Sequence, residues 1–368
     1  MKVETFVLKI VSRCNLNCSY CYMYNKGDTT FELQPKLMEI ETIKDIAKKI
    51  DLHVKRHDIK TIFIVYHGGE PMIAGKFFFI DANKIFNKYI DVKINYAIQT
   101  NGTLIDKDWV SLFNNLEIKI GISIDGPKKY HDSFRVFHNK KGSYDVIMNK
   151  FKKELNIKDF GFLFVINPII PVNELYSFIK KNKIGTLNLL LPDYHYDDLP
   201  HYLNHNIKLS TWLTSFYKLW KNDKNRPVID FFENIIKSFF DLSNGTQILG
   251  SCFNSVVCIE TDGSIEVIDS LRTCQSGITR NNLKVKNNAI DDIFELSIYK
   301  QYYYSHTQVS KKCNECEYLK ICGGGFLPHR YSKKNEFDNP SIYCNDLFEF
   351  IKYIELDIKK EIKKHEIN

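Results

Sequence analysis

The chain has 368 residues, 44% hydrophobic and 26% charged, with a net charge of +7. That size suits one large α/β domain with an accessory domain, and the apolar content excludes wholesale disorder. No apolar run approaches a membrane span, Met1-Lys2-Val3-Glu4-Thr5 lacks a signal-peptide pattern, and the basic surplus is spread along the chain. We therefore expect a cytoplasmic protein with no nucleic-acid and no membrane partner.

Apolar periodicity predicts the elements in order. Thr5–Val11 reads as a strand, Gln34–Lys55 as a helix and Thr61–His67 as a buried strand. Phe79–Lys88 reads as a helix, Ile94–Gln99 as a strand, Lys107–Asn114 as a helix and Glu117–Ile124 as a strand. Ser143–Leu155 is then helical, Phe160–Ile166 extended, Val172–Lys181 helical and Thr186–Leu191 extended. Strands alternating with helices imply parallel βαβ units closed or partly closed into a barrel, whose chemistry collects at the carboxyl ends of the strands. Past Pro200, Leu209–Lys221 and Val228–Leu242 read as two helices. Gly250 to Cys344 is rich in cysteine, glycine and turns, and is expected to bury little apolar core and to need metal to fold. Asp346–Ile362 reads as an amphipathic helix. The expected divisions are residues 1–200 as barrel, 201–249 as bridging helices, 250–345 as a cysteine-rich domain and 346–368 as the closing helix.

Ten cysteines in a chain without secretory features point to metal rather than disulfides. They fall in two groups, Cys14, Cys18 and Cys21, then Cys252, Cys258, Cys274, Cys313, Cys316, Cys322 and Cys344. The first group is C-x3-C-x2-C directly after the first strand. Three thiolates on one short loop hold three irons of a cubane cluster and leave the fourth iron open. The competing readings are a zinc site short of one ligand, or chance. In the second group, C-x2-C is also the commonest zinc element.

The N-terminal loop resembles that of radical S-adenosylmethionine (radical SAM) enzymes. The resemblance implies that Cys14, Cys18 and Cys21 bind a [4Fe–4S] cluster whose open iron is chelated by S-adenosylmethionine. Reductive cleavage then yields a 5′-deoxyadenosyl radical that abstracts a substrate hydrogen. Tyr20 matches an aromatic position near the adenine. His67-Gly68-Gly69-Glu70-Pro71 resembles the family's GGEP motif, in which Gly68 and Gly69 carbonyls meet the methionine ammonium, helped by the Glu70 charge. Asn101 ends the third strand. Ser123 and Asp125 match ribose contacts of sulfatase-maturating relatives, and Arg135 a partner of the methionine carboxylate, for which a guanidinium fork is suited. The bland alternative for these residues is turn chemistry and a surface ion pair.

The C-terminal cysteines resemble the SPASM domain, an auxiliary-cluster domain of peptide-modifying radical enzymes. The implied fold is a partial (β/α)6 barrel of the radical SAM type with a C-terminal iron–sulfur SPASM domain. That family's run reads C-x2-C-x5-C-x3-C. Carried over, Cys313, Cys316, Cys322 and Cys344 form a complete site. Cys252, Cys258 and Cys274 lack a fourth cysteine, whose position is Phe326. One or two auxiliary clusters are implied.

Finer motifs resemble maturases that form three-residue cyclophanes in ribosomally synthesised precursor peptides. These include Asn15 to Asn25, Cys258 to Glu266 with Asp269, Cys322 to Ser332, and Leu189 to Asp193 with His195 nearby. That subgroup joins an aromatic ring carbon to a side-chain β-carbon. Ring restoration requires loss of a proton and an electron, so a base is needed, and Asp269, Asp193, His195 and Glu260 are candidates by location. The implied partners are the precursor peptide, leader and core, and an electron donor such as flavodoxin or ferredoxin. With the first strand near Thr5, the leader is expected on the barrel–SPASM surface, an exposed strand edge or another protein. The alternatives are a sulfatase-type maturase oxidising a serine or cysteine, a thioether-forming maturase, a non-catalytic iron–sulfur electron carrier and a zinc-ribbon nucleic-acid binder.

Overall fold

The computed structural model describes residues 1–153, 155–156, 160–202, 207–243 and 245–367. Glu154, inside the expected 143–155 helix, and Asn368 lie outside the described residues. In chain order the elements are β1 (Thr5–Val11), α1 (Ile40–Arg56), β2 (Thr61–Gly68), α2 (Lys76–Tyr89), β3 (Lys93–Thr100), α3 (Lys107–Asn115) and β4 (Ile118–Ser123). There follow α4 (Lys128–Phe134), α5 (Tyr144–Lys153), β5 (Gly161–Val165), α6 (Val172–Lys181), β6 (Thr186–Leu190), α7 (Leu209–Asn222), β7 (Val228–Ile229) and α8 (Asp230–Phe239). Then come β8 (Val256–Ile259), β9 (Ile265–Glu266), short helical turns through the cysteine-rich region and a long helix, Cys344–Ile367.

The chain divides into two compact units. The first comprises Met1–Ile124, Lys128–Leu163 and Ser255–Tyr303. Its strands lie in the order β5–β4–β3–β2–β1–β8–β9. All pairs are parallel except β8 with β9. β-Branched and aromatic residues fill these strands, and Phe6, Leu8, Ile10, Ile62, Ile64 and Tyr66 are fully buried. α1 shows why its face is internal: Ile43, Ile46, Ala47 and Ile50 recur at helical spacing and are all buried. α3 starts where the Asp106 carboxylate accepts from the Trp109 amide at 2.9 Å.

Two expectations are corrected in this unit. The helix expected from Gln34 begins at Ile40. Residues before it run extended beside the end of β1, with Ser12 N donating to Lys36 O and Met38 N to Ile10 O. The segment after Gly250, expected to bury little, supplies a strand with no exposed residue: β8 pairs with β1 from Thr5↔Val256 to Leu8↔Ile259. Ile265, Val267, Leu271, Ile293 and Tyr299 are likewise fully buried. α1 is joined to the segment 290–295 by Asp291, which accepts from Arg56 at 2.7 Å and lies within reach of His57 Nε2 at 3.1 Å and of His53 Nδ1.

The second unit comprises Asp125–Pro127, Phe164–Asn254 and Tyr304–Asn368. The end of β5 continues into it, Ile166 N donating to Leu190 O, and β7 pairs in parallel with β6 through Thr186↔Val228 and Leu187↔Ile229. The helix expected from Val228 therefore starts at Asp230, because the two residues before it are taken by the sheet. Trp212, Phe216, Tyr217, Trp220 and Phe232 from α7 and α8 form one aromatic core with Phe350 of the last helix. Among the described residues no helix is long and apolar enough to cross a membrane.

Candidate active site

None of the ten cysteines is in a disulfide. In the first unit, Cys14, Cys18 and Cys21 follow β1 at its carboxyl end, and the loop is pinned by two neighbouring strand ends. β2 ends at Gly68, and Gly69 N donates to Val11 O at 2.7 Å while Glu70 N donates to Arg13 O at 3.0 Å. A Cβ on Gly69 would sit 2.2 Å from Arg13 O, and one on Gly68 2.2 Å from Val11 O. The paired glycines thus let two backbones meet, a close approach no side chain permits.

Glu70 is fully buried and is occupied by the fold. Its oxygens accept from Met72 N at 3.0 Å, Thr100 Oγ1 at 2.8 Å and Asn101 N at 2.8 Å. Burial pushes its carboxyl up to about 7, against those three donors. Asn101 is held in this way and turns its side chain to the cysteine loop, Nδ2 donating to Asn15 Oδ1 at 2.8 Å and lying 3.7 Å from Cys14 Sγ. Ser123 accepts from Gln99 Nε2 at 2.9 Å. The Arg135 guanidinium lies 5.4 Å from the Tyr20 ring centre, and Phe134 packs on that ring at 5.8 Å. Asp125, in the second unit, is buried and accepts from Val165 N at 3.2 Å.

The donor chemistry fits an iron–sulfur cluster. Burial pushes the Cys14 thiol up to about 12 and raises Cys21. Such thiols become thiolates when a metal compensates for lost hydration. In the second unit, Cys313, Cys316, Cys322 and Cys344 line one cavity of ≈ 450 Å³ with Tyr318 and Phe348. Burial pushes Cys322 up to about 12, and neighbouring Cys344 and Cys313 push the same way. Four convergent soft donors are the set a closed cluster needs. Of the remaining three, Cys258 lies on β8 opposite Val7 and Glu266, and Cys274 follows the 3-10 turn Asp269–Thr273. Cys252 belongs to the second unit, where its Sγ lies 3.4 Å from Thr246 O.

The four candidate bases have different surroundings. Asp269 is buried in the first unit, accepts from the Tyr22 hydroxyl at 2.7 Å and forms an ion pair with Lys9. Lys9 is fully buried and also donates to Tyr22 Oη and His67 Nδ1, both at 3.1 Å. Burial lowers the Lys9 ammonium to about 8, and burial with the Lys9 charge keeps His67 neutral. Glu260 is bound to Arg272 at 2.7 Å, and Arg272 also holds Glu266 at 2.7 Å, all three buried. In the second unit, His195 is buried edge-on to Tyr331 with ring centres 5.5 Å apart. Asp193 lies 3.9 Å from His329 Nε2. His329 is fully enclosed, neither ring nitrogen has a hydrogen bond among the described residues, and Phe326 packs edge-on to it at 5.4 Å.

Lys9 and Arg272 lie outside the motifs quoted from the sequence, and Tyr22, His67 and Arg330 lie within them without an assigned role. A lysine inside an otherwise apolar strand run was the available signal for Lys9, since an isolated buried ammonium requires a partner.

Residues 8–180 match the family model described as Radical SAM superfamily. Those residues form a radical SAM domain. Enzymes with such a domain bind a [4Fe–4S] cluster and S-adenosylmethionine, in keeping with the three-thiol loop. Over 366 residues the chain is 26% identical to a cysteine-type anaerobic sulfatase-maturating enzyme of Clostridium perfringens, covering 93% of each chain. It is 21% identical over 368 residues to a serine-type anaerobic sulfatase-maturating enzyme of Bacteroides thetaiotaomicron, covering 93% of this chain and 86% of the relative. Its fold matches a solved structure described as native anSMEcpe with bound AdoMet at a TM-score of 0.81, with 24% identity, over 97% of this chain and 98% of that one. It also matches Streptococcus suis SuiB bound to precursor peptide SuiA at a TM-score of 0.57 and 16% identity, over 93% of this chain and 76% of that one. The α/β fold with its parallel strands is that of radical SAM enzymes.

Proposed function

We propose that this enzyme is a peptide or protein maturase that oxidises the β-carbon of a cysteine or serine side chain, a reading supported by its likeness to enzymes named cysteine-type and serine-type sulfatase-maturating. The observation that carries the reading is the three-cysteine loop at the end of β1, braced by the ends of β2 and β3 through Gly69, Glu70 and Asn101. Similarity over nearly the whole chain to sulfatase-maturating enzymes supports this alternative ahead of the cyclophane crosslink that the finer motifs suggested.

In this reading Cys14, Cys18 and Cys21 hold the cluster, and with S-adenosylmethionine it supplies a carbon radical able to take a hydrogen atom from an unactivated carbon. Gly68, Gly69, Asn101, Ser123 and Arg135 orient the S-adenosylmethionine, with Tyr20 against its base. Glu70 acts one step back, fixing Asn101. Cys313, Cys316, Cys322 and Cys344 hold an auxiliary cluster with one-electron acceptor chemistry. Once a hydrogen atom has left the substrate carbon, one proton and one electron must also leave. Asp269 is the proposed proton acceptor, since it is the candidate hydrogen-bonded to the residue after Cys21. A flavodoxin or ferredoxin supplies the reducing electron, and the reducing cytoplasm is the compartment in which ten thiols persist.

The cyclophane crosslink is the second reading, favoured by Phe326 at the position where the related run has a cysteine. One experiment separates the two. The reduced enzyme is given S-adenosylmethionine and either a cysteine-bearing sulfatase-motif peptide or a peptide with repeated aromatic-x-x units. Oxidation of the cysteine leaves a thioaldehyde that water converts to an aldehyde with release of hydrogen sulfide, and an aldehyde trapped by a hydrazide reagent on the first peptide supports side-chain oxidation. Loss of two hydrogens from the second, with no trappable aldehyde, supports the crosslink. Release of no 5′-deoxyadenosine with either peptide would overturn both.

A further inference from the structure

Arg330 is among the largest fully buried side chains, with 1% of its surface exposed. Its guanidinium donates to four backbone carbonyls: Nε to Gly324 at 3.0 Å, Nη1 to Ser305 at 2.7 Å, and Nη2 to Gly323 and Gly325, both at 2.6 Å. Three successive carbonyls converge on one group because Gly323, Gly324 and Gly325 all have positive φ, at 59°, 73° and 75°. A Cβ on Gly324 would lie 2.9 Å from Nη2. The glycine turn follows Cys322 directly, and Gly324 itself lines the four-cysteine cavity. The guanidinium therefore stands behind the wall of that cavity.

Among the described residues no carboxylate pairs with Arg330. Carbonyl dipoles take four of its five N–H hydrogens but do not neutralise its charge, and an unpaired buried cation is costly. Burial pulls its pKa down to about 10, and among the described residues Cys313 and Cys322 pull the other way. A cubane cluster on four thiolates is an anion, so the charge missing from the protein is the charge such a cluster brings.

We propose that Arg330 is the buried counter-ion of the auxiliary cluster held by Cys313, Cys316, Cys322 and Cys344, and that it raises the cluster's reduction potential. It is a positioning and tuning residue. A fixed positive charge stabilises the more negative, reduced cluster over the oxidised one, and favours acceptance of an electron from substrate. Because the guanidinium is buried, salt screens the effect little.

The inference rests on that cavity holding a cluster. Iron and sulfide analysis of Cys313→Ala/Cys316→Ala tests this separately: unchanged iron would remove the cluster, and with it the role of Arg330. The test of Arg330 itself is a redox titration followed by electron paramagnetic resonance on the full chain carrying Arg330→Lys or Arg330→Gln. Lysine keeps the charge, whereas glutamine keeps donors without charge. The expected result is a potential near the parent's in the lysine variant and a lower one in the glutamine variant. Loss of the cluster in glutamine alone also supports the counter-ion. Any result in which lysine performs no better than glutamine, including equal potentials or equal loss of iron, overturns it.

Discussion

The Tyr22 hydroxyl donates to the Asp269 carboxylate at 2.7 Å, across a sequence separation of 247 residues. The residue next to the third cysteine of the N-terminal loop is thereby tied to the turn that ends at Cys274. Lys9 completes the arrangement beneath both side chains.

Removing the cation from this arrangement strands a buried carboxylate. Lys9→Met is expected to lower stability by about 3–5 kcal/mol, as when one partner of a buried pair is lost. Lys9→Met with Asp269→Asn should recover most of that loss. Denaturant midpoints of the three proteins provide the check, and equal midpoints for the single and double variants would refute the pairing.

Asp269→Asn in the Lys9→Met background removes the proton acceptor without leaving a buried charge unpaired. It should leave iron content and uncoupled formation of 5′-deoxyadenosine intact while lowering product formation by about 10²–10⁴-fold. Product yield unchanged relative to the parent removes Asp269 as the base.

Gly69→Ala brings a methyl group 2.2 Å from Arg13 O. The expected cost is about 1–3 kcal/mol of stability, with weakened S-adenosylmethionine binding because the cysteine loop must shift. Isothermal titration on the reconstituted enzyme measures the second effect. Gly185→Ala, where no atom lies within 4 Å and φ is not positive, is the comparison for steric space.

Acid should loosen the contact between α1 and the segment 290–295. Burial lowers the pKa of His53, outweighing the opposite pull of Asp291. For Asp291 burial acts upward, but hydrogen bonds from Arg56, His53 and His57 outweigh it and hold the carboxyl below its ordinary range. Both folded-state values are depressed, so this stability is present above the unfolded pKa values and is lost as pH falls through the folded ones. The window opens below the ordinary histidine range, near pH 6.5, and extends into the carboxylate range. Asp291→Asn should remove the dependence of thermal midpoint on pH in the carboxylate part of the window and, by withdrawing the pull that raises His53, steepen it in the histidine part.

Much of the frame was legible. β1 to β6 announced themselves as β-branched runs, and α6 matched its expected bounds because its apolar face and flanking turns agree. Gln34–Glu39 was misread as helix because its apolar spacing was satisfied by β1's end rather than by a helical face. Val228 and Ile229 were misread because two residues carry too little periodicity to distinguish strand from helix. The cysteine loop and its glycine brace were visible as local motifs. Lys9 stands out locally as a lysine in an apolar run, but its partner Asp269 lies far along the chain, and Arg330 takes its meaning from backbone carbonyls, which no side-chain pattern records.

The pairing of β8 with β1 has a consequence for biogenesis. One edge of the strand that launches the first cysteine loop is covered by residues 256–259, made only after some two-thirds of the chain has left the ribosome. Until then β1 presents open backbone donors and acceptors on that side, and a fragment ending near residue 200 keeps that edge permanently. Swapping C-terminal regions between maturases to change specificity would thus also replace a structural neighbour of the radical-generating loop. Insertion of iron before residue 259 emerges would act on a loop whose supporting strand is still half-paired.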